Sequence, residues 1–259
     1  MKSFKVLQLN MQFGQTWDEV DPDHAPVNLD LTIEEIRSHD ADIVLLQEVE
    51  QAQPGGRQPD PPPNYTRLRR ELAGYASYFS YPKADPRELP FGIGLAMFSK
   101  TPLRDARRRD LPSPPVEFEF EGRRTTPTDR LLIGASTVVG GRELHLFNTH
   151  LLAFFMINTE TQDHPGQRRL VIEALRETDS PTLLGGDFNV LSHHALSRQF
   201  EAAGYRTVQD RQPTWRRDPY VLDHIFYSRH LRLLRHVVRL TRASDHHVLV
   251  AEFEFSNAA

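Results

Sequence analysis

No cysteine occurs in the 259 residues, which excludes disulfide cross-links, thiolate nucleophiles and any zinc site built on thiolates. Lysine is scarce too: of 31 basic residues only Lys2, Lys5, Lys83 and Lys100 are lysines. The planar arginine fork suits bidentate phosphate contact, but genome composition alone can produce the same bias, so the excess carries little weight. No apolar run reaches membrane-spanning length; the longest, residues 151–157, is far too short. The opening MKSFKVLQLN reads as a strand and lacks the apolar core and small-residue cleavage site of a signal peptide. A cytoplasmic protein is the expectation. A net charge of −4 argues against a general polyanion binder, so long nucleic acid is possible as a partner but not favoured.

What is present belongs to a folded chain. Hydrophobic residues at 39% and charged residues at 25% argue against wholesale disorder, and the length suits one α/β domain over residues 1–259. Strand-like and helix-like segments alternate without an internal repeat. Apolar, β-prone runs cover Phe4–Asn10 and Asp42–Glu48 (DIVLLQE), while Leu29, Ile33 and Ile36 have helical spacing. The Pro/Gly-rich stretch 51–63 is incompatible with helix or central strand, and Asn64–Ala73 reads as a helix capped by Asn64. Strands are expected at Ala76–Tyr81 and Gly92–Ser99, and a hairpin joins Leu131–Val139 to Glu143–Thr149 across two glycines. A helix near Gly166–Glu177, a strand at Thr182–Gly185 and a helix near Ala195–Ala202 follow. Strands at Val221–Tyr227, Leu234–Leu240 and Val248–Phe255 close the series. Hairpins beside strand–helix units predict an α+β or layered α/β fold rather than a doubly wound parallel sheet.

Polar residues recur where the apolar strands end. Asn10 closes the first strand, Glu48 closes LLQE, and Asn148 and His150 close LHLFNTH. Asp187 and Asn189 follow LLGG, Asp223 and His224 lie in VLDHIF, and Asp245, His246 and His247 precede the last strand. Loops at strand ends are where a rigid scaffold displays reactive groups. Acids, amides and imidazoles together offer oxygen ligands for a hard cation and bases to activate water. Taken singly each favours a structural reading: Asp-Phe-Asn as an Asx turn, Asn10 as a turn or cap residue, Glu48 as a solvated acid. Five independent strand ends each bearing a suitable group shift the balance toward chemistry.

The ordered series LN (Leu9, Asn10), LQEV (Leu46–Val49), NTHL (Asn148–Leu151), GGDFN (Gly185–Asn189), LDHIF (Leu222–Phe226) and SDHH (Ser244–His247) resembles the endonuclease/exonuclease/phosphatase superfamily. That group includes abasic-site endonucleases, pancreatic-type DNases, neutral sphingomyelinases and inositol-polyphosphate 5-phosphatases, and the resemblance runs from residue 4 to residue 255. It implies a DNase-like four-layer α/β/β/α sandwich of two mixed β-sheets. It also implies a magnesium-dependent phosphoester hydrolase, with manganese as a substitute ion, that attacks phosphorus in line with an activated water. Carried over position by position, Glu48 is the principal magnesium ligand, helped by Asn10 and Asp245. Asp187 polarises or deprotonates the water, and Asn189 positions water and phosphate. His246 bonds a phosphate oxygen with Asp223 fixing its tautomer, and His150 stabilises the transition state or the leaving oxygen. Two departures stand out. Asn10-Met11-Gln12 replaces the Asn-x-Asn or Asn-x-Asp of many DNA-repair members, which puts a second metal position in doubt. LDHIF replaces the Arg-Ile-Asp-Tyr of abasic-site enzymes, which points away from abasic-site repair.

The loops bear on the substrate. Residues 14–27 carry Asp18, Glu19, Asp21 and Asp23, a negative rim that would repel a long polyanion. Phe154, Phe155 and Met156 follow His150 closely and read either as core or as an apolar wall for a lipid or a base. Trp215 reads as packing at the core edge, with base stacking as the alternative. The leading expectation is a phosphodiesterase for a modest-sized or lipid-like phosphoester. A DNA or RNA nuclease and a catalytically silent binding module are the alternatives.

Overall fold

The computed structural model describes residues 3–256. Two six-stranded sheets form its centre. In the first the strands run in the order Leu231–Arg239, Val248–Phe255, Phe4–Asn10, Ile43–Gln47, Leu95–Ser99, Ala76–Ser80. In the second the order is Tyr205–Thr207, Asp223–Ser228, Thr182–Asp187, Arg142–His150, Arg130–Val139, Arg104–Leu111. Each sheet has one parallel pair at its middle, Phe4–Asn10 beside Ile43–Gln47 and Arg142–His150 beside Thr182–Asp187, and every other pairing is antiparallel. Both are therefore mixed sheets.

Side-chain alternation along these strands builds the layers. Val6, Ile43, Leu45, Leu131, Ile133, Leu144, Leu146, Leu183, Ile225 and Leu249 form one buried cluster between the sheets. Their strand neighbours Leu7, Leu9, Val44 and Leu46 face outward onto Leu29, Ile33 and Ile36 of the helix Leu29–His39 and Leu68 of the helix Pro63–Glu71. On the other side Leu132, Phe147, Leu184 and Phe226 meet Val171, Ile172 and Leu175 of the helix Gly166–Arg176, and Leu196 and Phe200 of the helix His193–Glu201. Three apolar seams separate four layers. Central strands buried on both faces explain why DIVLLQE is an unbroken apolar run instead of an alternating one.

The seam between the sheets changes character along its length. Inward positions read Val6, Gln8, Asn10 on one strand and Ile43, Leu45, Gln47 on its parallel neighbour. Across the gap they read Leu144, Leu146, Asn148, His150 beside Leu183, Gly185 and Asp187. One end of the sandwich is apolar and the other polar. Gly185 permits the close approach: a Cβ there would lie 2.5 Å from Leu45 Cδ1 of the opposite sheet.

Several expected boundaries moved, each for a local reason. The second helix begins at Pro63, so Asn64 lies inside it and does not cap it; its amide donates to the carbonyls of Phe13 and Val49. The capping acceptor is Glu50, whose Oε1 takes the Tyr65 N–H at 2.8 Å. The expected strand Gly92–Ser99 is interrupted at Gly94, which has φ +83°. The arginine-rich segment Arg104–Leu111 is an edge strand, and its charges suit an edge that must resist pairing with another chain.

Candidate active site

The polar end of the sandwich collects residues from six segments. Parallel strands deliver Asn10, Glu48, His150 and Asp187 at their C-terminal ends. Antiparallel strands begin at that same end, so Asp223 opens Asp223–Ser228 and pairs in register with Asp187, while Asp245 and His246 precede Val248–Phe255. All eight residues singled out from the sequence therefore lie at one end of the molecule.

At its centre the Asn10 Nδ2 group donates to Glu48 Oε1 at 2.9 Å and to Asp187 Oδ2 at 3.1 Å, bridging two carboxylates. Asn10 turns its oxygen away from them, toward the Gln12 N–H at 3.2 Å. His246 Nδ1 lies 2.7 Å from Asp223 Oδ2, and its Nε2 lies 3.7 Å from Asp187 Oδ2. Asn189 donates its backbone N–H to Asp187 Oδ1, and its Nδ2 reaches the Leu151 carbonyl at 2.9 Å and His150 Nε2 at 3.1 Å. His150 Nε2 is 3.7 Å from both Glu48 Oε1 and Asp187 Oδ2. Asp245 Oδ2 accepts from Trp215 Nε1 and Arg217 Nε, each at 3.2 Å.

Backbone strain marks the site. Glu48 at φ +49° and Asn189 at φ +50° occupy the left-handed region that side-chain-bearing residues rarely adopt. Each costs on the order of 1 kcal/mol and persists only because the surroundings fix it. Gly92 makes room for Glu48, since a Cβ there would sit 2.1 Å from Glu48 Oε2.

Burial dominates the electrostatics. It raises Glu48 to about 7, with the charge of Asp245 adding to the effect and the Asn10 hydrogen bond opposing it. Burial, then the charge of Asp223, likewise pushes Asp187 well above the usual carboxylate range. Burial works against a charged His246, but the charge and hydrogen bond of Asp223 outweigh it and hold the ring protonated well above its ordinary range. His150 moves the other way: burial first, then Arg130, keeps it neutral. A neutral imidazole whose Nε2 accepts from Asn189 carries its proton on Nδ1.

This balance bears on a bound cation. Glu48 and Asp187 are acids raised by burial in a setting where His246 is the one strongly retained positive ring, and buried acids raised in this way are stabilised by a cation. The donors are carboxylate oxygens, which the Asn10 amide oxygen would join on turning from the Gln12 N–H, and such a set suits a hard ion such as magnesium. Asp187, Asp223 and His246 also place ligand atoms within 4.8 Å of one another. In that trio His246 Nδ1 and Asp223 Oδ2 already satisfy each other at 2.7 Å, so it reads as a hydrogen-bonded cluster, and the carboxylate of Glu48 is the freer ligand.

Two supporting groups, Gln8 and Gln47, emerged that sequence reasoning missed, and they join Asn148, noted there at its strand end. Gln8 Nε2 donates to Asp223 Oδ1 at 2.8 Å and to Gln47 Oε1 at 2.7 Å. Gln47 Nε2 continues to Asn148 Oδ1 at 2.6 Å, and Asn148 Nδ2 reaches the carbonyls of Leu46 and Ala96. This amide chain ties the sheets together beneath the site. Its signal was available: glutamine inside an apolar strand run needs a partner. Trp215, expected at the core edge, is partly exposed with its ring 6.4 Å from that of His246. The acidic 14–27 loop is not a bare negative rim, because Glu19 pairs with Arg216 and Asp23 with Arg217.

The sequence profile of the Endonuclease/Exonuclease/phosphatase family matches residues 7–246. Two curated relatives from Vibrio cholerae, each described as UPF0294 protein, are 32% identical over 123 residues; the match spans 45% of this chain and 42% of the relatives' length. A solved structure described as an endonuclease/exonuclease/phosphatase from Beutenbergia cavernae matches with a TM-score of 0.72 at 21% identity, covering 100% of this chain and 73% of the other. The human Nocturnin catalytic domain with bound sulfate anion matches with a TM-score of 0.67 at 20% identity, covering 98% of this chain and 94% of the other. These structural likenesses establish the fold. Among the described residues no helix is long and apolar enough to cross a membrane.

Proposed function

The chain belongs to the endonuclease/exonuclease/phosphatase family, and from that premise we propose that residues 1–259 act as one catalytic domain, a magnesium-dependent phosphoester hydrolase in which manganese can substitute. The observation that carries the reading is the convergence of Glu48 and Asp187 on one amide, with protonated His246 facing Asp187 and Asp223 behind it. Family members are generally hydrolases, phosphatases and nucleases among them, and the substrate here is a modest-sized or lipid-like phosphoester.

Glu48 would hold the cation together with Asp245 and Asn10. When bound, magnesium would offset charge on the phosphoryl oxygens and orient the ester. Asp187, ionised, takes the proton of the attacking water, and a bound cation would favour that ionised form against the upward push of burial. The Asn189 N–H fixes the Asp187 carboxylate, and the Asn189 amide positions water and phosphate. His246 donates through Nε2 to a phosphoryl oxygen as negative charge builds there, while Asp223 holds the ring's orientation and charge. His150 anchors the Asn189 amide through Nε2, and it would serve the transition state or leaving oxygen in the form that carries a proton on Nε2.

The adjacent arginines Arg108 and Arg109, and Arg216 and Arg217, supply little of the free positive track that long nucleic acid needs. Arg108 pairs with Asp110, Arg109 with Glu177, Arg216 with Glu19 and Arg217 with Asp23. The deciding experiment is hydrolysis of a phosphoester panel with magnesium and with chelator, using Asp187→Asn as control. The panel holds plasmid and abasic DNA, RNA, sphingomyelin, phosphoinositides and a generic phosphodiester. Turnover of one class, abolished by chelator and by the substitution, is the expected result. Turnover that survives both would overturn the reading.

A further inference from the structure

Two segments that contain none of the motif residues meet beside His246. One is the 3-10 turn Phe154–Ile157, closed by Asn158 at φ +57°. The other is the loop 214–220, in which the N–H groups of Thr214 and Trp215 both reach the Tyr220 carbonyl, at 2.9 and 3.3 Å. The turn separates its two phenylalanines. Phe154 is 2% exposed and packs with Leu152 and Ile157, whereas Phe155 is only partly buried and its ring lies 5.8 Å from Trp215 and 6.2 Å from Tyr220. Trp215 and Tyr220 stand 6.3 Å apart and within 19° of parallel, and both are partly exposed. Met156, next in the turn, is 62% exposed.

The arrangement is fixed before any ligand arrives. Trp215 is tethered through Nε1 to Asp245 and bridges His246 through its backbone, and Tyr220 is held by the loop that closes on its carbonyl. Three aromatic faces thus stand at the edge of the reaction centre, partly in solvent. In the same segment Leu151, Leu152, Phe154 and Ile157 are buried, whereas Phe155, like Trp215 and Tyr220, keeps part of its surface in solvent. Resting on the hydrolase reading above, we propose that Phe155 and Tyr220, with Trp215 between them and His246, bind a planar aromatic ring carried by the substrate close to its phosphoryl group.

The chemistry favours a ring over the other occupants. Flat π-faces stack on any planar ring and gain little from an acyl chain, which needs a long enclosed apolar groove. The chain next to Trp215 is charged, with Arg216, Arg217 and Asp218 in succession. Those arginines are already paired with Glu19 and Asp23, so the surface suits one ring near the phosphate rather than a long polynucleotide. A nucleobase and a simple aryl group share the recognised feature. Stacking of one ring on such a platform corresponds to about a tenfold gain in affinity or more.

The test is equilibrium binding to the full chain in magnesium, with Asp187→Asn as background to block turnover and tryptophan fluorescence or calorimetry as readout. The probes are adenosine 5′-monophosphate, phenyl phosphate, glycerol 3-phosphate and a short-chain lysophosphatidic acid below its micelle concentration. We expect one or both ring-bearing probes to bind about tenfold or more tightly than glycerol 3-phosphate. Phe155→Leu and Tyr220→Leu, made separately, should each shrink that gap severalfold while leaving glycerol 3-phosphate binding unchanged. A preference for phenyl phosphate as well as the nucleotide identifies a general ring site, and one for the nucleotide alone a base-sized site; both support the proposal. Equal binding of all probes, tighter binding of the acyl probe, or a ring preference that survives both substitutions would overturn it. Because binding is read without turnover, failure on the hydrolysis panel and failure here are separable.

Discussion

At the scale of single residues the site is an arrangement of buried charges that need one another. Asp187 sits between the Asn10 amide, the Asn189 N–H and the His246 ring, so replacing it by asparagine preserves shape and removes the base. Asp187→Asn should leave the unfolding midpoint within a few degrees of the parent and lower turnover by at least about a hundredfold. Near-parental turnover would remove Asp187 from that role. Glu48 is the acid that burial raises to about 7, and a cation is what would let it stay ionised there. Glu48→Gln should raise the magnesium concentration for half-maximal activity by at least about tenfold. An unchanged titration would place the ligand elsewhere.

At the scale of elements, two local arrangements carry consequences beyond the site. Glu50 accepts the Tyr65 N–H near the start of the helix Pro63–Glu71, and burial raises it to about 7 although the hydrogen bonds from Tyr65 and Asn64 oppose the shift. The unfolded chain releases this proton near the ordinary glutamate value of 4.5 and the folded chain keeps it until about 7. Over that window the folded state binds more protons, so its stability falls as pH rises. The contribution is up to about 3 kcal/mol. Glu50→Gln keeps an acceptor oxygen without the charge, and denaturant melts from pH 5 to 8 should show a flatter decline than the parent. The 3-10 turn Phe154–Ile157 gives the second case. Phe154 lies in a buried satellite cluster and Phe155 at the edge of the site. Phe154→Ser should cost about 3 kcal/mol or more of folding stability, and Phe155→Ser well under half of that. Equal losses would show that both rings serve the core.

For the molecule as a whole, stability and activity share one end of the sandwich. The inter-sheet seam is apolar along most of its length and closes with Gln8, Gln47, Asn148 and the carboxylates. Concentrating raised acids there means that chelated protein should lose stability as pH rises from about 4.5 to about 7, since the folded state retains protons that the unfolded chain has lost. A divalent ion bound only by the folded state reverses this by mass action, and at a hundredfold excess over its dissociation constant adds about 2.7 kcal/mol. For a chain of this length that is a rise on the order of 5 °C in unfolding temperature. Differential scanning calorimetry in magnesium and in chelator at pH 7.5 reads it directly. Coincident transitions would mean that no cation is held there.

The sequence by itself located most of the elements and the eight polar groups that the fold brings to one end. Apolar runs bounded by turn residues located most of the strands, and strand-end polar residues named all eight groups that gather at the site, because a reactive side chain on a strand end leaves a local, ordered mark. It also determined that thiol chemistry was excluded, from composition alone. Tertiary structure decided what depends on contacts between distant segments. Helix packing placed Asn64 inside its helix and gave the cap to Glu50, a residue outside that helix. The close approach of the sheets at Gly185 stacked Gln8, Gln47 and Asn148 into one amide chain. Phe154 and Phe155, identical in the sequence, were sent to different environments by a single turn. Burial set the charge states, leaving His150 neutral and His246 protonated, and burial is a property of the packed molecule that no local run of residues encodes.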